Sequence, residues 1–316
     1  MMGNSMAVEI RNLCKSFKQN EVLKDLDLSV PKGKIFALLG QNGAGKTTMV
    51  KILSTLLKFD SGHINVLSHE LPKQSDSVRS KISMTGQYVA LDEDLTGEQN
   101  LILIARLSGY NSIQAKGRTK ELLEMFDLSD AGKKTVKTYS GGMHRRLDIA
   151  AGIIKTPELL FLDEPTTGLD PRSRSVVWDF VRGLAHNGTT IFLTTQYLEE
   201  ADRLADLIAV IEGGKIVAKG TPTELKSLVG RKTVSIRFKD TAERESAKKL
   251  VSKSFPNKSV TEHESDLFSI EISDISQANS ILNGLADASI EPVEYSISQA
   301  SLDEVFLTFT GGKTNE

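Results

Sequence analysis

Cysteine is nearly absent from this chain: Cys14 is the only one among 316 residues. No intramolecular disulfide can form, as expected of a protein in a reducing cytoplasm. Long hydrophobic runs are missing as well. A membrane-spanning helix needs about 18–20 consecutive apolar residues. The most lipid-like stretch, Leu101-Ile-Leu-Ile-Ala105, is far shorter and is followed by Arg106. The opening Met-Met-Gly-Asn-Ser-Met carries neither the basic segment nor the apolar core of a signal peptide. No charge of one sign dominates. The formal net charge is −2, which removes the global basic field that nucleic-acid binding uses. Histidines 63, 69, 144, 186 and 263 are scattered, with no partner at a metal-ligand spacing. What is left is an ordinary soluble composition, 39% apolar and 25% charged, with length for roughly two domains.

What is present is organised around Gly40-Gln-Asn-Gly-Ala-Gly-Lys-Thr-Thr48. It matches G-x-x-x-x-G-K-[ST] at Gly40, Gly45, Lys46 and Thr47, with Asn42, Gly43 and Thr48 completing the loop. The apolar run Ile35–Leu39 before it reads as a buried strand. After it, Met49, Val50, Ile52, Leu53 and Leu56 recur at helical spacing. Strand, glycine loop and helix start form the setting a phosphate-binding loop needs. Glycines let the backbone approach a polyphosphate, and free N–H groups with the helix dipole favour the anion. Lys46 supplies a point charge for the β and γ phosphates. Thr47 offers a hydroxyl to Mg²⁺.

The N-terminal 8–39 region reads as β-rich, with alternation at Val8–Leu13 and Val22–Val30 and with Phe17 in the loop between those strands. Lys81–Gln87 reads as another buried strand. Helical patterning follows from about 97 to 128, opened by a Thr96-x-x-Gln99 capping box, so a helical insertion of about 88–150 divides an α/β core. Ser140-Gly-Gly142 precedes a further helix and offers a second anion-binding element: a hydroxyl, free N–H groups and a dipole.

Leu159-Leu-Phe-Leu162 is a short buried strand with Asp163 and Glu164 at its C-terminal end, where open α/β sheets bind ligands. Asp163 is suited to the Mg²⁺ shell, and Glu164 to orienting or deprotonating an attacking water. Gly168-Leu-Asp170-Pro171 turns into a helix. Thr189–Thr195 is a β-branched strand followed by Gln196, a helix 198–204, a hairpin 207–218 and a short helix on the Gly220-Thr-Pro turn. Beyond about Gly230 the elements run βαββαβ, compatible with a small ferredoxin-like α+β domain without a catalytic constellation.

Taken together over about 6–228, these motifs resemble the nucleotide-binding subunit of an ABC transporter. Gly40–Thr48 matches its Walker A loop, Gln87 its Q-loop glutamine, Tyr139-Ser-Gly-Gly-Met143 its signature, Leu159–Glu164 its Walker B strand with catalytic glutamate, and Gly168-Leu169-Asp170 its D-loop. Phe17 takes the place of the aromatic that stacks on adenine. Two departures stand out. The signature usually reads Leu-Ser-Gly-Gly-Gln, so Tyr139 and Met143 replace its ends while the phosphate-touching Ser140, Gly141 and Gly142 remain. Gln196 replaces the family's switch histidine; it can hydrogen-bond phosphate or water but cannot exchange a proton near neutral pH.

Thr194–Asp202, Tyr139–Met143 and the extension ending in Ser301-Leu-Asp-Glu-Val-Phe-Leu307 resemble the daunorubicin-resistance type of drug exporter. The implied fold is a P-loop α/β core with an N-terminal antiparallel β subdomain and a helical insertion, over 6–228. A C-terminal α+β domain covers 231–316. The implied activity is ATP hydrolysis coupled to export of a drug-like amphiphile, with ATP and Mg²⁺ bound. The catalytic set is Glu164, Gln196 and Lys46; the metal set is Thr47, Gln87 and Asp163. The remaining nucleotide contacts fall to Phe17, the 40–48 loop, Ser140, Gly141, Gly142 and Asp170. Expected partners are a second copy and a separate ABC-2 type permease meeting the region near Gln87–Leu107, at the cytoplasmic membrane face, with no nucleic acid. Export of a lipid or polysaccharide is the runner-up. A soluble ABC ATPase of translation or DNA repair would bring two cassettes, coiled coils or basic arms. A P-loop kinase or GTPase would lack the signature, and a mere nucleotide sensor would lack the Asp163-Glu164 pair.

Overall fold

The computed structural model describes residues 5–85, 91–228, 232–255, 260–264, 266–299 and 302–309. Contacts divide the chain into two compact units, Met1–Pro222 and Thr223–Glu316.

The first unit opens with a long hairpin. β1 (Met6–Phe17) pairs antiparallel with β2 (Asn20–Pro31). β3 (Ile35–Leu39) is buried at every position, as a central strand covered on both faces must be. It leads into α1 (Lys46–Leu53), which presents Met49, Val50, Ile52 and Leu53 to the core. Leu56, expected on that face, lies past the helix end and is 67% exposed. β4 (Ser61–Val66), β5 (His69–Leu71) and α2 (Ser75–Arg79) come next. They are not legible in the sequence, because only Ile64 and Val66 alternate inward on β4. β4 forms where β1 offers it an antiparallel partner, giving a sheet ordered β2-β1-β4-β5.

β6 (Ile82–Thr85) is followed by residues 86–90, which lie outside the described set and include Gln87. The helical insertion holds α3 (Gly97–Leu107), α4 (Ser112–Met125) and α5 (Gly141–Gly152). The capping box at Thr96 and Gln99 forms, and a second one forms at Asn111 and Gln114, satisfying N–H groups that would otherwise lack partners.

The core resumes with β7 (Leu159–Asp163), α6 (Pro171–His186), β8 (Thr190–Thr195), α7 (Leu198–Leu204), β9 (Leu207–Glu212) and β10 (Lys215–Gly220). The second sheet is ordered β10-β9-β3-β8-β7-β6 and is parallel except at β10. One apolar core joins the two sheets around α1, with Val8, Leu13, Phe36, Met49, Phe161 and Phe192 almost fully buried. Each such side chain contributes about 1.5–3 kcal/mol by burial. The parallel order brings the C-terminal ends of β3, β7 and β8 side by side.

α8 (Pro222–Leu228) spans the boundary between the units. The second unit holds β11 (Lys232–Arg237), α9 (Thr241–Ser254), β12 (Val260–Glu264), β13 (Leu267–Ile272), α10 (Ile275–Asp287), β14 (Glu294–Gln299) and α11 (Leu302–Phe309). Its antiparallel sheet runs β12-β13-β11-β14, the strand order of a ferredoxin-like βαββαβ unit. Val234, Ile236, Phe268, Ile270, Ala247 and Ile281 form its own core. In the described residues no helix is long and apolar enough to cross a membrane.

Candidate functional site

The loop between β3 and α1 turns on Gly45, whose φ of 110° is left-handed. A Cβ there would also meet Leu23 Cδ2 at 2.7 Å and Val22 O at 3.2 Å, so both conformation and space demand glycine. β2 thus braces the loop. Phe17 does not sit in a loop: it is the last residue of β1, paired with Asn20 on the same hairpin. It is 45% exposed, with Lys15 Nζ 5.3 Å from its ring centre. An exposed aromatic in that position is available for stacking rather than spent on the core.

Lys46 is only 4% exposed. Its ammonium donates to Gly40 O at 2.7 Å and Gln41 O at 3.1 Å, and lies 3.3 Å from Glu164 Oε1. A charge is costly to bury without partners, and here the loop's own carbonyls wrap around it. Thr47 Oγ1 donates to Asp163 Oδ1 at 3.3 Å, and Thr194 Oγ1 donates to the same oxygen. β7 and β8 place these groups by register, with Asp163 opposite Thr194.

Glu164 follows directly after β7 with φ 49°, a left-handed conformation that costs a non-glycine residue on the order of 1 kcal/mol. Its surroundings hold it there. Its N–H donates to Thr194 O at 3.1 Å and Thr194 Oγ1 at 3.2 Å, and Thr167 Oγ1 donates to Oε2 at 3.4 Å. Gln196 is half-buried and follows Thr195, whose carbonyl accepts from Gly40 N at 3.2 Å. The phosphate loop, Asp163, Glu164 and the segment leading to Gln196 therefore converge at one end of the parallel sheet.

The signature segment belongs to a different group. Ser140 caps α5 and accepts from Met143 N at 3.3 Å; Ser140 and Gly141 are exposed. Gly142 is buried, and a Cβ on it would come within 2.5 Å of Ser173 Oγ. Ser173 in turn donates from both N (3.0 Å) and Oγ (2.6 Å) to Asp170, the N-cap of α6. These bonds, the hydroxyl's first, hold the Asp170 carboxyl below the usual carboxylate range. The D-loop carboxylate and the signature are thus one packed element. Among the described residues no hydrogen bond runs directly from it to the phosphate loop. Tyr139, where leucine is usual, directs its hydroxyl to Ala131 O at 2.8 Å; burial raises its pKa. Gln87 lies outside the described residues.

Sequence reasoning missed four contributors. Thr194 binds both Asp163 and Glu164, yet reads as one of several β-branched strand residues. Glu200 is fully buried on α7; its Oε1 accepts from Thr166 Oγ1 at 2.8 Å and Trp178 Nε1 at 3.1 Å, while Oε2 has no hydrogen-bond partner. Burial raises its pKa. Its spacing of four from the buried Leu204 was the available signal. Arg145 and Asp148, three apart on α5, form a partly buried ion pair at 3.0 Å.

The donor set fits a magnesium nucleoside triphosphate. A cation sits inside a glycine loop at a helix start, and a hydroxyl and a carboxylate supply the hard oxygens that Mg²⁺ prefers.

Comparisons with known proteins agree. The ABC transporter family model matches residues 23–167, and the model for the C-terminal domain of DrrA1-3-like ATP-binding proteins matches 220–310. The daunorubicin/doxorubicin resistance ATP-binding protein DrrA of Streptomyces peucetius is 48% identical over 96% of this chain and 92% of its own length. The linearmycin resistance ATP-binding protein LnrL of Bacillus subtilis is 34% identical over 96% and 98%. A Nod factor export ATP-binding protein I of Sinorhizobium fredii is 39% identical over 70% and 65%. Among solved structures, an ATP-binding subunit of an ABC transporter superposes with a TM-score of 0.64 at 28% identity, covering 71% of this chain and 93% of that one.

Proposed function

The chain belongs to the ABC transporter ATP-binding family, and from that premise we propose how its residues act as the ATPase of a drug exporter. The observation that carries the proposal is the convergence of Lys46, Thr47, Asp163, Thr194 and Glu164. ATP, when bound, supplies the phosphoryl group whose transfer to water is the chemistry. Lys46 faces the β and γ phosphates, and the loop N–H groups of 40–48 bind their oxygens. Thr47 and Asp163 hold Mg²⁺, with Gln87 the third group assigned to it. Glu164 orients and deprotonates the attacking water, and Gln196 positions it without exchanging a proton. Phe17 stacks on the adenine.

Ser140, Gly141 and Gly142, with Asp170 behind them, serve the loop of a second copy. Support comes from the exposure of Ser140 and Gly141 at a helix start and from the separate packing of Gly142 against Ser173 and Asp170. Two copies then enclose two nucleotides and drive a membrane permease, which we infer to be of the ABC-2 type. The site of work is accordingly the cytoplasmic membrane face. For cargo, relatives named for daunorubicin, doxorubicin and linearmycin resistance match almost the whole chain, and the C-terminal unit carries a DrrA-like match. The Nod factor export relative matches a smaller share. An amphiphilic drug-like cargo is the reading these favour.

The decisive experiment is Glu164→Gln. It should abolish ATP turnover and yield an ATP-stabilised dimer in size-exclusion chromatography. Turnover at the parental rate would remove Glu164 from its role.

A further inference from the structure

Arg145 lies on α5, three residues beyond Gly142, where the signature pattern assigns it nothing. Among the described residues its guanidinium bonds on two sides. Nε donates to Pro165 O at 3.0 Å and Nη2 to Asp163 O at 3.2 Å. These are the carbonyls immediately before and immediately after Glu164. On the other side, Nη1 donates to Asp148 Oδ2 at 3.0 Å, one turn further along α5. Asp148 is 4% exposed, so the fork is anchored inside the protein.

Glu164 itself needs such a grip. Its backbone is in the left-handed region, and a residue there stays only where its surroundings over-determine it. Thr194 fixes the Glu164 N–H. Arg145 fixes the two flanking carbonyls. A planar fork with donors on adjacent edges can span two carbonyls at once, while a lysine ammonium cannot reproduce that spacing.

From this geometry we propose that Arg145, braced by Asp148, is a positioning residue that sets the backbone, and hence the carboxylate, of Glu164 for attack on the γ-phosphate. It touches no reacting atom. Because α5 opens with Ser140–Gly142, the same helix that presents the signature to a second copy also holds the base of its own site. This inference rests on the assignment of Glu164 made above and extends it to a residue outside the nucleotide-binding motifs.

The test compares Arg145→Ala and Arg145→Lys with the parent in the full chain, alone and combined with Glu164→Gln. Both single variants should lower kcat by about ten- to a hundredfold, as a small misplacement of a catalytic group does, with KM for ATP within about threefold of the parent. In the Glu164→Gln background, Arg145→Ala should still give the ATP-stabilised dimer, because positioning a base is irrelevant once the base is gone. Parental kcat in Arg145→Ala overturns the inference, and so does full rescue by Arg145→Lys. Loss of the ATP-stabilised dimer in the double variant also overturns it, since that outcome marks a general structural role. If Glu164→Gln alone hydrolyses ATP normally, the underlying assignment of Glu164 has failed. Normal Arg145→Ala beside an inactive Glu164→Gln defeats this inference only.

Discussion

The ammonium of Lys46 lies 3.3 Å from Oε1 of Glu164, although one residue opens α1 and the other follows directly after the β7 strand. The charge proposed for the phosphates and the carboxylate proposed for the water are therefore in contact. Adjacent parallel strands make that possible: β3 feeds the loop, β8 lies between β3 and β7, and Thr194 on β8 bonds to the Glu164 backbone.

Lys46→Ala removes the buried cation and leaves Gly40 O and Gln41 O without their donor. ATP affinity should fall at least about tenfold, which corresponds to about 1.4 kcal/mol of lost phosphate attraction. Titration with a fluorescent nucleotide measures it. Affinity equal to the parent would show that Lys46 does not face the phosphates.

Gln196→Ala should slow hydrolysis while leaving most ATP affinity, because the proposed role is in the chemical step. Equal loss of binding and turnover would contradict it. Gln196→His would place an imidazole there, and activity should then acquire a dependence on pH near about 6.5, the ordinary histidine range. A pH profile unchanged from the parent would show that this position does not face the reaction.

Glu200 holds Thr166, ahead of the D-loop, and Trp178 on α6 through one carboxylate oxygen. Glu200→Gln keeps that acceptor, whereas Glu200→Ala strands both buried donors and should cost roughly 2–4 kcal/mol. Burial raises the folded-state pKa, so the folded protein binds this proton more tightly than the unfolded chain does. Parental stability should therefore decline as pH rises from the ordinary glutamate range up to the folded value. Thermal melting of the parent and Glu200→Gln at several pH values checks it. The gap in favour of Gln should widen as pH rises above the ordinary glutamate range; a constant gap would contradict a raised Glu200 pKa.

Asp148 offers a similar test with a defined window. Burial, only partly offset by Arg145, pushes its pKa from 3.8 up to about 6. The raised value again means that stability is lost as pH rises, here between about 4 and 6, and is flat above. Asp148→Asn removes this dependence, with a ceiling of about 3 kcal/mol set by the size of the displacement. Melting curves that stay parallel across pH 4–7 would show that Asp148 does not titrate there.

The phosphate loop, the strand-end Asp163-Glu164 pair and the Ser140-Gly-Gly helix start were legible because each is a short, local pattern whose chemistry follows from its own residues. So were the buried strands β3 and β7, as apolar runs, β8, as a β-branched run, and the βαββαβ order of the second unit. β4 and β5 were not. Their residues carry little strand signal, and the backbone of β1 decides that they pair. Phe17 looked like a loop residue because strand pairing with Asn20, not local propensity, carries β1 to its end.

The sequence by itself determined the family of motifs, the nucleotide class and two glycine-rich helix starts, at Gly40–Thr48 and Ser140–Gly142, since spacing along the chain encodes loops and helix starts. Only the tertiary structure decided which of them meet. Sheet order brought Lys46 against Glu164 and packed Gly142 on Ser173 beside Asp170. It also buried Glu200 among donors from two other segments, and it set the Arg145 fork on both flanks of Glu164. Those relationships depend on pairing and packing between segments distant in sequence, and no local pattern of residues carries that information.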